Sequence, residues 1–137
     1  MRKSAKQLVD EASTEIVTLS PADALKMQQA GEAVIVDIRD IRELAREGKV
    51  PDAVHAPRGM LEFWVDPESP YHREVFAQSG KTYIFFCAGA MRSALATRDM
   101  QNMGLAPVAH IEGGFSLWRD AGLPVDLPES SADKKRG

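Results

Sequence analysis

The chain has 137 residues, enough for one domain around a single core, and its 44% hydrophobic and 27% charged residues are ordinary for a globular protein. A formal net charge of −3 leaves no basic footprint for a nucleic-acid partner, and no apolar run approaches the length of a membrane span. The single cysteine excludes an internal disulfide and favours the cytoplasm, where thiols stay reduced.

The basic opening Met1-Arg2-Lys3 has no apolar stretch behind it and does not read as a signal peptide. Residues 4 to 13 read as a short amphipathic helix with Leu8, Val9 and Ala12 on one side, an extension over 1–15 ahead of a domain spanning 16–126. Ile16 to Leu19 is a short strand. Ser20 caps a helix with Pro21 at its first position, and Gly31 ends it. Ala33-Val34-Ile35-Val36 is apolar without alternation, as in a central parallel strand, and Asp37-Ile38-Arg39 closes it. For Asp37 and Arg39, the residues alone favour hydrogen bonds that fix a loop at a strand end over direct catalysis.

Asp40 with Glu43 forms a capping box that opens a helix through about Glu47. Val54 to Ala56 is a candidate strand, Gly59 to Val65 a helical turn, and Tyr71 to Gln78 a short helix. Thr82 to Phe86 is a buried strand, Arg92 to Met100 a helix stopped at Gly104, Pro107 to Ile111 a strand, and Phe115 to Ala121 a last helix. A flexible tail is expected over 127–137, with Lys134-Lys135-Arg136 as solvated charge. The histidines, His55, His72 and His110, are scattered, so they read as surface or loop residues and imply no metal site. Strands alternating with helices predict an α/β fold, a parallel sheet with helices on both faces.

Cys87-Ala88-Gly89-Ala90-Met91-Arg92-Ser93 lies between the Thr82–Phe86 strand and the helix after it. A lone cysteine behind an apolar strand is most often a small core hydrophobe. Here it also sits at the carboxyl end of a strand, where open α/β sheets place their ligands. The helix start supplies unpartnered amides and the positive end of the helix dipole, and a small-residue loop can gather them into an anion nest. A thiolate would be stabilised there, with Arg92 as a fixed charge beside it. The reading is a reactive thiolate in an anion pocket.

Four separated segments together resemble a single-domain rhodanese-like sulfurtransferase. Val34 to Arg39 looks like that family's apolar strand ending in Asp-x-Arg, and Gly48-Lys49-Val50-Pro51-Asp52-Ala53 resembles its Gly-His-Ile-Pro-Gly-Ala turn. Cys87 to Ser93 resembles its active-site loop, and Glu112-Gly113-Gly114-Phe115 with Trp118 its closing Glu-Gly-Gly-Phe-x-x-Trp motif. The resemblance implies a five-stranded parallel sheet flanked by helices, and transfer of sulfane sulfur from thiosulfate or a similar small anionic donor. The acceptor it implies is cyanide, a low-molecular-weight thiol or a protein thiol, with a Cys87 persulfide as intermediate and no cofactor. It implies Cys87 as nucleophile, the loop from Ala88, Gly89, Ala90 and Met91 to Arg92 as substrate-binding, and Asp37, Arg39 and Ser93 as supports.

The chain departs from the family at Ala90, Lys49 and Asp52, which stand where Gly, His and Gly are common. Arg92 is the loop's only basic residue, and fewer positive charges weaken thiosulfate binding. Two other readings stand beside this one: a persulfide carrier or protein-interaction module without turnover, and a phosphatase or arsenate reductase on the same fold. Related phosphatases have a loop one residue longer than the four residues between Cys87 and Arg92.

Overall fold

The structure, a computed structural model, describes residues 1–128. Five strands form one all-parallel sheet: β1 (Val17–Leu19), β2 (Ala33–Asp37), β3 (Val54–His55), β4 (Thr82–Phe86) and β5 (Val108–Ile111), in the order β1-β5-β4-β2-β3. Six helices accompany them: α1 (Ala5–Glu15), α2 (Pro21–Gln29), α3 (Ile41–Glu47), α4 (Leu61–Val65), α5 (Met91–Met103) and α6 (Gly114–Asp120). The α/β architecture with five parallel strands agrees with the sequence.

β4 lies at the centre and divides the core. Tyr83, Phe85 and Cys87 point to one face, where they meet Leu61 and Val65 of α4 and Ala96 and Met100 of α5. Ile84 and Phe86 point to the other, against Ala24 of α2 and Phe115 and Trp118 of α6. This period-two alternation on a strand covered on both sides explains why Thr82–Phe86 reads as continuous hydrophobe. α1 packs on α5: Ala12 is fully buried, and Gln101 Nε2 donates to the Glu15 carbonyl at 3.0 Å.

The sheet order has a consequence for function. From β2 the chain leaves toward the β3 edge, and from β4 it leaves toward β5 on the other side. The crevice outside the carboxyl ends of β2 and β4 is therefore the topological switch point, the ligand position of open α/β sheets. Asp37 and Phe86 face each other at those ends, so Asp37 to Arg39 and Cys87 to Arg92 enter one crevice.

One expected helix shrinks. Between Tyr71 and Gln78 only Glu74–Ala77 is helical, as a 3-10 turn. Arg73 is extended (φ −117°, ψ 131°), because its amide donates to the Trp64 carbonyl at 2.9 Å and its guanidinium stacks 3.7 Å over the Trp64 ring. These tertiary bonds outweigh the weak helix preference of so short a segment. At the carboxyl end, Lys49 and Asp126 exchange backbone hydrogen bonds of 3.0 and 2.8 Å, which ties residue 126 to the domain. Most of the expected 127–137 tail, with Lys134-Lys135-Arg136, lies outside the described residues.

Candidate functional site

Cys87 is 1% exposed and follows directly on β4. The carbonyls of Cys87 and Ala88 accept hydrogen bonds from the Phe115 and Ser116 amides at 2.8 and 3.0 Å, donors of the first turn of α6 that have no partner within the helix. A trans peptide points its C=O and N–H in opposite directions, so these bonds turn the Ala88 and Gly89 amides away from α6. Among the described residues, no acceptor is found for any amide from Ala88 to Ser93; the first bonded one is Ala94, to the Ala90 carbonyl at 3.0 Å. Ala90 is the N-cap of α5 and brings no side-chain cap. Six successive free N–H groups thus follow the sulfur, at the positive end of a 13-residue helix.

The glycine on which this loop depends is Gly114, not Gly89. Gly114 has φ +58°, and a Cβ there would lie 1.9 Å from the Gly89 carbonyl oxygen and 2.4 Å from that of Cys87. The loop and the start of α6 touch backbone to backbone, which only glycine permits. A Cβ on Gly89 would meet nothing within 4 Å, so neither contact nor backbone angle requires glycine there. Ala90 has φ −144°, outside the left-handed region, so no positive φ calls for glycine there. At the other position where glycine is common, Asp52 adopts φ +64°, a left-handed conformation in which glycine is the relaxed choice.

Arg92 does not present a free charge. Its Nη1 and Nη2 donate to the two carboxylate oxygens of Glu43 at 2.8 and 2.9 Å. Glu43 is the N3 residue of the α3 capping box, and its Oε2 also accepts from the Asp40 amide at 2.9 Å. The Arg92 hydrogen bonds hold the Glu43 carboxyl at about 2, with the Asp40 amide and the charges of Arg92 and Arg39 adding to them. Arg92 is pushed above its ordinary value, first by its hydrogen bonds to Glu43; the charge of Cys87 and a hydrogen bond to its sulfur contribute less. The sequence showed Glu43 as a helix cap and gave no sign that it pairs with the loop.

Asp37 and Arg39 form a buried fork. Arg39 Nε donates to Asp37 Oδ1 and Oδ2 at 3.0 and 3.1 Å, and Nη2 to Oδ2 at 2.7 Å. Nη2 also donates to the Gly48 carbonyl at 3.0 Å. The guanidinium carbon lies 4.2 Å from the Phe115 ring centre. His55 Nε2 donates to the Arg39 carbonyl at 2.7 Å. One arginine thus connects the ends of β2 and β3, the turn at Gly48, and the helix whose amides hold the cysteine loop.

His110 is neither surface nor loop. It sits in β5, 3% exposed, opposite Phe85. Its Nδ1 lies 3.0 Å from Ser93 Oγ and its Nε2 3.0 Å from Thr18 Oγ1, while Ser93 Oγ donates to the Ala90 carbonyl at 3.2 Å. One assignment satisfies every group: Thr18 donates to Nε2, Nδ1–H donates to Ser93, and Ser93 donates to Ala90. Burial pushes the His110 imidazole down from its ordinary value, toward this neutral form. The chain of bonds braces the Ala90 N-cap from β1 and β5. In the sequence only the placement of His110 in an apolar strand hinted at it.

A cleft of about 630 Å³ between α3 and the 126–128 segment, lined by Ile41, Leu44, Lys49 and Leu127, lies apart from the sulfur. No helix among the described residues is long and apolar enough to cross a membrane.

Known proteins share both sequence and fold with this chain. The model of the rhodanese-like domain matches residues 20–121. A sulfurtransferase of Allochromatium vinosum is 28% identical over 122 residues, 89% of this chain and 99% of that protein. An uncharacterised Synechocystis protein is 29% identical over 109 residues; the match covers 80% of this chain but spans only 55% of that protein's length. Among solved structures, a Rhodopseudomonas palustris protein of unknown function, described as a possible tyrosine phosphatase, is 52% identical with a TM-score of 0.87. That match covers 92% of this chain and 96% of the other.

Proposed function

The chain belongs to the rhodanese-like domain family, and from that membership we propose that it is a sulfurtransferase working through a persulfide on Cys87. The Cys87 thiolate attacks the outer sulfur of a sulfane donor. The donor's S–S bond breaks, and sulfite, when the donor is thiosulfate, leaves with the electron pair. Cyanide or a thiol then takes the outer sulfur from the persulfide and returns the thiolate. All the electrons stay on sulfur and the acceptor, so the cycle balances without a metal or organic cofactor.

The observation that carries this reading is the run of amides from Ala88 to Ser93 without acceptors behind a buried cysteine. Such a cradle stabilises the charge of a thiolate and of a terminal persulfide. In this account Ala88, Gly89, Ala90 and Met91 contribute amides, Arg92 closes the loop, and Asp37, Arg39 and Ser93 hold it in place. The acceptor is cyanide, a small thiol or a protein thiol, in the cytoplasm. The test is thiocyanate formation from thiosulfate and cyanide. Cys87→Ser should abolish it with the fold intact, since a hydroxyl is a far weaker nucleophile at neutral pH; turnover at the wild-type rate in that variant would refute the mechanism.

The description of the 52% identical relative as a possible tyrosine phosphatase favours a second reading, in which Cys87 attacks an oxyanion. The four-residue spacing from Cys87 to Arg92 weighs against seating phosphate in line with the sulfur. Negligible hydrolysis of p-nitrophenyl phosphate is expected. Steady hydrolysis that vanishes in Cys87→Ser would reverse the ranking.

A further inference from the structure

We propose that Glu43 sets the donor preference of the Cys87 site: by occupying the Arg92 guanidinium it makes the site take a small alkyl persulfide in preference to the thiosulfate dianion. This rests on the sulfurtransferase reading and deepens it.

Arg92 is the only basic residue between Cys87 and Ser93, and its charge is already paired, with Nη1 and Nη2 each donating one hydrogen bond to Glu43. Glu43 is mostly buried, with 17% of its side chain exposed. It is fixed from two sides, by Arg92 and by the Asp40 amide. The next guanidinium, Arg39, is engaged by Asp37 and lies 3.5 Å from the Glu47 carboxylate, so it offers no spare positive charge. With Cys87 as thiolate, the trio Cys87, Arg92 and Glu43 sums to one negative charge.

Thiosulfate brings two more. Its transfer, thiolate plus thiosulfate giving Cys87 persulfide plus sulfite, carries three negative charges through the transition state, against one guanidinium already shared. An alkyl hydropersulfide reacts as thiolate plus RSSH giving Cys87 persulfide plus RSH. The Cys87 sulfur bonds to the outer sulfur, the S–S bond breaks, and the leaving thiolate takes the electron pair and the proton. That path carries one negative charge from the neutral hydropersulfide and two from its anion, in either case fewer than the three of thiosulfate. In a partly desolvated crevice, charges a few ångströms apart decide between two such donors.

The experiment compares thiosulfate with 2-hydroxyethyl persulfide as donors, reading transfer to cyanide and the mass of the protein after single-turnover loading. Glu43→Gln is the decisive variant, because Gln at N3 keeps the capping box while removing the charge. It should raise the thiosulfate-to-persulfide ratio of kcat/KM about tenfold; an unchanged or lower ratio overturns the proposal. Salt gives a second readout on the native chain. Repulsion of the dianion is screened by added salt, so the thiosulfate rate should rise with ionic strength, and a flat or falling rate contradicts the assignment. If neither donor places sulfur on Cys87, the sulfurtransferase reading itself fails and this preference falls with it. Loading by both donors with an unmoved ratio sinks the preference alone.

Discussion

Arg39 has no solvent-exposed surface, so its charge is bearable only because Asp37 accepts from its Nε and Nη2, Glu47 lies 3.5 Å from Nη1, and two aromatic rings cover its face. Removing one partner of a buried pair leaves the other charged and uncompensated. Arg39→Met should therefore cost about 3–5 kcal/mol, seen as a lower urea midpoint with the slope unchanged; a midpoint equal to that of the native chain would show that the pair does not hold the site. The two residues were legible in the sequence as hydrogen-bonding groups at a strand end. Their remote partners were not, since the Gly48 carbonyl and the Phe115 ring come to Arg39 only through the fold. Arg92 shows the same limit: its place in the loop follows from spacing, but its engagement by Glu43 depends on how α3 lies against α5.

At the scale of elements, the site is a junction of β4, α5 and α6. The contact between Gly114 and the carbonyls of Cys87 and Gly89 leaves no room for a methyl group. Gly114→Ala must displace the cysteine loop or the start of α6, and we expect a loss of about 2–4 kcal/mol. Sulfur transfer should fall further than stability explains, when measured at a temperature where the variant remains folded. Unchanged activity would mean that the α6 bonds do not orient the loop.

The brace from β5 predicts a pH dependence. The folded His110 value is depressed, so below the ordinary value of 6.5 the unfolded chain binds the proton more readily than the native one. Its contribution to stability is complete above 6.5 and declines as pH falls below it. His110→Gln should flatten the change in Tm between about pH 7 and 5; an identical slope in variant and native chain would contradict the burial of a neutral imidazole.

The sequence located each strand closely because β2, β4 and β5 are apolar runs between clear stops. It overran at Tyr71–Gln78, where Trp64 captures Arg73, and it missed His110, whose two ring partners come from β1 and α5.

For the molecule as a whole, the strand order places the ends of β2 and β4 at the switch point, and the chain supplies one thiol there. A protein with a single cysteine has no resolving thiol of its own. A persulfide formed at Cys87 therefore cannot collapse into an internal disulfide and must await an external acceptor. The most direct test is the intact mass of the protein after treatment with a sulfane donor and desalting, read again after cyanide. One additional sulfur atom is expected, located on the Cys87 peptide, lost on exposure to cyanide and absent from Cys87→Ser. A Cys87 peptide that gains no sulfur from thiosulfate or from an alkyl persulfide would contradict the persulfide mechanism.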